Sequence, residues 1–142
     1  MKILRTVSVA AAAILWQSGS AHIGVDVLVV GGGTSGVAAG VQSARMGCRT
    51  MVVEEQPWIG GMLTSAGVCA TDGNYNLRGG FWGEFVDSLC SHYGGLDRLR
   101  NGWVSNISFE PDVAHNILSA VCSAEPCLDL RRGLALTSLS ST

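Results

Sequence analysis

Three glycines that directly follow a short apolar run constrain the fold of this chain more than any other feature. The run is Val27–Val30, and Gly31, Gly33 and Gly36 follow it in the pattern G-x-G-x-x-G. Such a run is typical of a fully buried strand of a parallel sheet. In this pattern the first glycine allows a sharp turn, the second lets the backbone approach a pyrophosphate, and the third lets a helix press against the sheet. The helix would begin with its unpaired N–H groups facing the phosphates.

The residues after the turn complete a strand–helix–strand unit. Apolar residues recur at helical spacing at Val37, Ala38, Val41 and Ala44. Gly47 stands where the glycine after a helix is expected, and residues 50–53 form a second apolar run that ends at Glu54. A carboxylate there can accept hydrogen bonds from ribose hydroxyls, which fits NAD and FAD equally and excludes a 2′-phosphate. The unit predicts dinucleotide binding, and a glycine turn in another kind of βαβ unit is the alternative.

The N-terminus has the three-part layout of a secretory signal peptide. Lys2 and Arg5 precede a compact apolar run at residues 7–16, and small residues follow up to Ala21. The run has about half of the roughly 20 residues that a membrane-spanning helix needs. We therefore expect cleavage after Ala21, a mature chain that begins near His22, and an exported protein with no stable membrane span. A retained N-terminal anchor is the alternative.

Composition narrows the remaining function classes. The 142 residues suit one domain, and with 14% charged residues and a net charge of −2 they predict no nucleic-acid partner. Of the five cysteines, Cys122 and Cys127 flank a proline-containing turn and could form a local disulfide in an oxidising compartment, while Cys48 and Cys90 lie in apolar surroundings that favour burial. There is no C-x-x-C pair, so the sequence predicts no metal site.

Beyond the second strand the pattern predicts one long loop and two helices. Gly60 and Gly61, followed by Met62, would let the backbone pass close to a flat or charged group, and residues 64–76 indicate a polar surface loop or a binding loop. Residues 80–93 and a stretch beginning at Pro111 have helical periodicity.

Side chains in the two predicted helices have structural explanations. Trp82 is expected in the core, with flavin stacking as the alternative. His92 suits the C-terminal end of its helix, and His115 falls off the apolar stripe and is expected in solvent. The residues after Cys127 show only one weak apolar alternation and no clear strand.

These segments together resemble a known family. The similarity is carried by DVLVVGGGTSGVAAGVQSARMGCRTMVVEEQPWIGGM, by LTSAGVCATDGNYNLRGGFWGEF and by FEPDVAHNILSAV. The first resembles the N-terminal FAD-binding segment of oxidoreductases with two dinucleotide-binding domains. The other two are similar to bacterial FAD-dependent oxidoreductases, often exported, that are distant relatives of the heterodisulfide reductase flavin subunit.

The resemblance implies FAD as cofactor and a set of binding residues. Its glycine turn would contact the pyrophosphate, Glu54 would bind the adenosine ribose, and the segment at Gly60 would run past the phosphates toward the flavin. The helix from Pro111 would lead into a strand whose backbone touches the adenine. The cofactor-binding residues so implied are Gly31, Gly32, Gly33, Thr34, Ser35, Gly36, Glu54, Gly60, Gly61 and Met62.

The same resemblance sets the expected domain organisation. Residues 1–21 are assigned to the signal peptide, 22–127 to an N-terminal FAD-binding segment and 128–142 to an uncertain tail, truncated or divergent. The expected fold is a Rossmann-like FAD-binding βαβ unit of the α/β class, with additional helices and an incomplete parallel sheet, since family members are several times longer. The full-length protein would be an FAD-dependent oxidoreductase acting on an unknown small molecule, with unknown catalytic residues. A non-catalytic dinucleotide-binding module or an inactive truncated fragment is the alternative.

Overall fold

A computed structural model describes residues 23–72, 76–103, 105 and 107–140. Within these residues the fold is a three-stranded parallel sheet with three α-helices, two short 3-10 helices (Gly61–Leu63 and Leu96–Arg98) and a separate two-stranded antiparallel sheet. The predicted signal peptide lies outside the described residues. In chain order the elements are β1 (Val27–Val30), α1 (Thr34–Arg45), β2 (Thr50–Glu54), β3 (Ala70–Thr71), α2 (Gly80–Tyr93), β4 (Ile107–Ser108), α3 (Pro111–Ala124) and β5 (Leu128–Arg132).

The main sheet has the strand order β1-β2-β5, which is one half of a doubly wound nucleotide-binding sheet. Val27 lies opposite Thr50, and Thr50 lies opposite Leu128. Both pairs of strands are parallel, so their carboxyl ends meet at one edge of the sheet. The first helix connects β1 to β2, and the chain returns to the sheet through α3. The α/β fold with a parallel sheet is therefore confirmed.

The third strand lies in the part of the sequence assigned to an uncertain tail. Strand β5 pairs with β2 along its whole length, from Leu128 to Arg132. The family resemblance implied a strand after the helix from Pro111, and that strand is present. Its sequence signal is weak because β5 is an edge strand in which Asp129, Arg131 and Arg132 are exposed and only two leucines are partly buried.

The first strand is less buried than its apolar sequence predicts. Residues 27–29 are only partly buried, and Val30 is 53% exposed. Within the described residues β1 pairs only with β2, so its other edge is open. The expectation of a fully buried strand was therefore wrong, whereas Thr50, Val52 and their neighbours in the central strand β2 are buried.

The helices have the boundaries that periodicity and capping predict. The first helix is followed by Gly47 at φ +85°, and α2 ends at Gly94 with φ +83°. Helix α3 begins at Pro111, whose missing N–H costs nothing in the first turn. It contacts α1, α2 and β5, and the core forms where these elements meet. The core residues are Val37, Val41, Ile59, Phe85, Val86, Leu89, Leu99, Ile107, Phe109, Ala114, Leu118 and Cys122.

The predicted polar loop contains a short strand. Strand β3 pairs antiparallel with β4, and Thr71 lies opposite Ile107. The Ser105 hydroxyl donates to the Thr71 carbonyl oxygen at 2.7 Å and holds the pair together. A two-residue strand leaves no periodicity in the sequence, and its partner is 36 residues away, so local pattern could not indicate it.

Two further features bear on the sequence predictions. No helix in the described parts of the chain is both long and apolar enough to cross a membrane. All five cysteines are described and free, so the disulfide suggested between Cys122 and Cys127 is not formed. Cys122 is turned into the core, whereas Cys127 follows the end of α3. Cys48 and Cys90, for which burial was favoured, are only partly buried.

Candidate dinucleotide-binding site

The glycine turn is held at the carboxyl end of β1. Gly31 has φ +98°, a backbone conformation that favours glycine, and its N–H donates to the Val53 carbonyl oxygen at 2.8 Å. A Cβ atom on Gly36 would lie 1.9 Å from the Gly31 carbonyl oxygen. The first turn of α1 can therefore approach the strand only because residue 36 has no side chain.

Gly33 faces open space instead. Its φ is −62°, and a Cβ atom there would meet no atom within 4 Å. Gly33 is the N-cap of α1, no side chain caps this helix end, and its first turn contains no acidic residue. The positive dipole end of α1 therefore favours an anion beside Gly33.

The glycine pair Gly60 and Gly61 packs against the glycine turn at residues 31–33. The Gly60 N–H donates to the Gly32 carbonyl oxygen at 2.7 Å, and the Thr34 hydroxyl donates to the Gly60 carbonyl oxygen at 2.8 Å. A Cβ atom on Gly61 would lie 3.2 Å from the Gly33 Cα atom. The structure thus brings these two distant glycine segments together. Met62 and Ser35 are exposed next to them.

Glu54 is tied to the glycine turn by its carboxylate. The Gly32 N–H donates to Oε2 at 2.5 Å, and the Gln56 N–H donates to Oε1 at 2.8 Å. These bonds hold the carboxylate at the carboxyl ends of β1 and β2. An ionised carboxylate has about four lone-pair positions, so it retains the capacity to accept hydrogen bonds from hydroxyl groups.

A cavity of about 400 Å³ lies beside Glu54, at the edge of the sheet where ligands bind in open α/β folds. Its lining residues are Val30, Gly31, Val53, Glu54, Glu55, Gln56, Leu134 and Leu136. Sequence reasoning missed the two leucines because they follow β5 in the predicted tail. Their alternation, with one residue between them, was the available signal. The Leu134 N–H donates to the Glu54 carbonyl oxygen at 3.1 Å and fixes this wall.

His115 is not the solvated residue that its helical position predicted. It is partly buried, and its ring stacks on Trp58 with 5.1 Å between centroids and an interplanar angle of 13°. The Ile59 N–H donates to its Nδ1 atom at 3.2 Å. The expectation was wrong because the segment after β2 folds over α3, a contact between residues 56 positions apart.

Another cavity, of about 610 Å³, lies on the segment after β2 and not at Glu54. Trp58, Pro57 and Pro111 contribute to its mainly apolar wall. Neither the glycine turn nor Glu54 borders it. We therefore place the candidate site at the cavity beside Glu54, which has the polar groups that a nucleotide needs.

Proton-transfer residues do not stand out in the site. Burial raises the pKa of the Cys122 thiol to about 11, and the Arg45 guanidinium beside Glu84 lowers the pKa of that carboxyl group. Neither group lines the cavity. Trp82 is partly buried and packs against the core residue Phe85, with 6.1 Å between ring centroids. Within the described parts of the chain no group of three or more His, Cys, Asp or Glu residues is arranged to hold a metal ion.

Comparison with known proteins decides between the dinucleotides. Residues 26–139 match the model of a family described as FAD dependent oxidoreductase. The chain belongs to this family. FAD is accordingly the cofactor, and the observed geometry fits its ADP end, with open space beside Gly33 at the N-terminus of α1 and a fixed carboxylate at Glu54.

Individual relatives match parts of the chain. Sarcosine oxidase subunit alpha from Corynebacterium sp. (strain U-96) is 44% identical over 52 residues, which are 37% of this chain and 5% of that protein. GidA from Aquifex aeolicus is 22% identical with a TM-score of 0.48, over 75% of this chain and 19% of its own. THI4 from Thermovibrio ammonificans is 17% identical with a TM-score of 0.43, and the match covers 75% of this chain and 38% of THI4. The family assignment does not rest on these partial matches.

Proposed function

We propose that the described residues bind the ADP half of FAD at the carboxyl edge of the sheet. The observation that carries the proposal is the open space beside Gly33, at the uncapped N-terminus of α1 and next to the cavity at Glu54. A pyrophosphate there would be bound by the first N–H groups of the helix. Gly60 and Gly61 would flank it on the other side, and Met62 would lie where the cofactor continues toward the flavin.

The adenosine would occupy the cavity next to the turn. Glu54 accepts two backbone N–H bonds and would accept further bonds from the ribose hydroxyls. Leu134 and Leu136 supply an apolar wall against which the adenine ring would pack. This role extends the binding segment beyond the Cys127 boundary predicted from the sequence.

We further propose that the full-length protein is an oxidoreductase. The chain spans only 5% of the sarcosine oxidase subunit it matches, so substrate and electron acceptor are assigned to no residue here. Bound FAD supplies electron or hydride transfer, and the protein binds and orients it. A non-catalytic binding module is the second candidate, favoured by a cavity lined with glycine, apolar side chains, two glutamates and a glutamine. This chain alone would then bind the cofactor without turnover.

Export is a separate part of the proposal. Residues 1–21 carry the positive start, the apolar run and the small residues of a signal peptide. N-terminal sequencing of the protein recovered outside the cytoplasm tests it. A mature chain beginning at His22 would support export, whereas recovery only inside the cell with Met1 retained would contradict it.

The cofactor proposal is tested by titrating the purified chain with FAD, ADP and FMN in a calorimeter. FMN is the matched control because it has the same isoalloxazine ring as FAD but no adenosine. FAD and ADP are expected to bind and to compete, and FMN is expected not to bind. Equal binding of FMN, or FAD binding that ADP does not reduce, would contradict the proposed site.

A substitution then assigns the ribose contact. Glu54→Gln should weaken FAD binding about tenfold, since it removes the charge from the hydrogen-bond acceptor. Asp97→Asn removes one negative charge at an exposed position that does not line the cavity, and it should leave the affinity unchanged. Equal affinities of the two variants would show that Glu54 does not bind the cofactor. Reduction of the bound FAD by an added donor would favour the enzyme over the binding module.

A further inference from the structure

Residues 55–59, between Glu54 and Gly60, contact α3 and β5. His115 on α3 stacks on Trp58 and accepts the Ile59 N–H at Nδ1, at 3.2 Å. On the opposite side of the ring, Nε2 lies 3.3 Å from Nη1 of Arg132, which also donates to the Pro57 carbonyl oxygen at 3.4 Å. Helix α3 and strand β5 therefore both contact this segment, and their side chains meet at the His115 ring.

The residue held by His115 is next to a residue of the candidate site. Ile59 is fully buried, and the following residue is Gly60. Gly60 donates its N–H to Gly32 and accepts the Thr34 hydroxyl. The backbone from 59 to 60 is thus fixed by His115 on one side and by the glycine turn on the other, so a displacement of Ile59 would move Gly60 away from the turn.

We propose that His115 is a positioning residue for the FAD site and that its neutral ring is the form that keeps Gly60 against the glycine turn. The inference rests on the proposed binding of the ADP half of FAD. It adds a residue outside the glycine motif, on a helix that does not line the cavity at Glu54. It also makes cofactor affinity depend on the charge of one side chain.

The groups around the ring give the physical reason. A neutral imidazole has one lone pair, and two donors face this ring, the Ile59 N–H and the Arg132 guanidinium. Nδ1 also lies 3.5 Å from the Ile59 carbonyl oxygen, which suits the other neutral tautomer. A protonated ring offers no acceptor to either donor, and it places a second positive charge beside Arg132. On α3 itself the acid one turn earlier is Asp112, which is exposed.

The test measures FAD affinity against pH for the whole chain and three variants. In the wild type, affinity should fall about twofold to tenfold between about pH 8 and about pH 5.5, the interval in which histidines change charge. The FAD affinity of His115→Ala should be lower by a similar factor than that of the wild type at the higher pH, and it should stay at this low value at both pH values. His115→Asn keeps an acceptor near the position of Nδ1 and cannot be protonated, so it should bind like the wild type at the higher pH and show no loss at the lower. His92→Asn, at the exposed end of α2, should follow the wild type.

Three results would overturn the proposal. They are a wild-type affinity that does not change with pH, a His115→Asn variant as weak as His115→Ala, and a His115→Asn variant that keeps the wild-type pH dependence. If His115→Ala does not fold, the asparagine variant and the pH profile still decide the matter.

A cofactor-free measurement separates this inference from the proposed function. In the NMR spectrum the Ile59 amide resonance should shift with pH in step with the His115 ring, and it should stop shifting in His115→Asn. If the chain binds no FAD at any pH, the proposed function is wrong, and the role of His115 in FAD affinity is then wrong as well. If FAD binds but the Ile59 amide does not respond to His115, only the positioning role fails.

Discussion

Two glycines only three positions apart should respond to alanine in different ways. At Gly36 the added methyl group would lie 1.9 Å from the Gly31 carbonyl oxygen, about 1 Å inside the closest approach that Cβ atoms make. At Gly33 it would project into open space from an ordinary φ of −62°. The first substitution acts on the fold, and the second acts on the space that we assign to the pyrophosphate.

The expected magnitudes follow from these contacts. For Gly36→Ala, overlap with rigid backbone costs about 3 kcal/mol, the upper part of the usual range for overpacking. The better helix propensity of alanine returns about 1 kcal/mol. The free energy of unfolding should therefore fall by about 2 kcal/mol, a factor of about 30 in the folded-to-unfolded ratio.

For Gly33→Ala two small effects nearly cancel. Alanine is a poorer N-cap than glycine by a fraction of 1 kcal/mol, and it reduces the entropy of the unfolded chain by a similar amount. Stability should therefore change by less than about 0.5 kcal/mol. FAD affinity should fall about tenfold or more, because the methyl group fills the space that the phosphates need.

Urea unfolding and flavin-fluorescence titration measure the two effects separately. Gly33→Ala is expected to unfold like the wild type and bind FAD weakly, and Gly36→Ala to lose stability as well as binding. Unchanged FAD affinity in Gly33→Ala would refute the placement of the phosphates. An unchanged urea midpoint in Gly36→Ala would refute the close approach of α1 to β1.

Three further predictions concern the scaffold. Burial raises the pKa of the Cys122 thiol to about 11. Mass spectrometry after iodoacetamide treatment at about pH 8 should therefore find Cys127 alkylated before Cys122. The stability that arises from this shift is present below the ordinary thiol pKa of 9.0 and is lost as the pH rises through about 11. The bond from Arg45 lowers the pKa of Glu84, so Glu84→Gln should cost at most about 0.5 kcal/mol in urea unfolding at neutral pH, because the pair is partly exposed, and nothing well below pH 4.5. Leu118→Ala should lower the free energy of unfolding by about 3 kcal/mol, measured by thermal denaturation, because the side chain is 1% exposed.

Much of the local structure could be read from the sequence. The strand before Gly31, the helix after it and the strand ending at Glu54 all have signals within a few residues. The same holds for α2, which stops at Gly94, and for α3, which starts at Pro111. Such elements are predictable because side-chain periodicity and the backbone freedom of glycine and proline act over one or two helical turns.

The site was predictable only in part. The glycines and Glu54 carry a pattern whose spacing follows from nucleotide geometry, and the structure brings them together with Gly60. The wall formed by Leu134 and Leu136 was missed, because an edge strand with exposed charges precedes it and conceals the alternation.

By itself, then, the amino-acid sequence determined the glycine turn, the elements on either side of it and the acid that completes the unit. In the described part of the chain the tertiary structure decided that β1 pairs only with β2, which leaves Val30 exposed, and that β5 joins the sheet. It also decided that His115 meets Trp58 instead of water. These outcomes depend on contacts between residues far apart in the chain, whose energies arise only when the elements pack and which no local pattern contains.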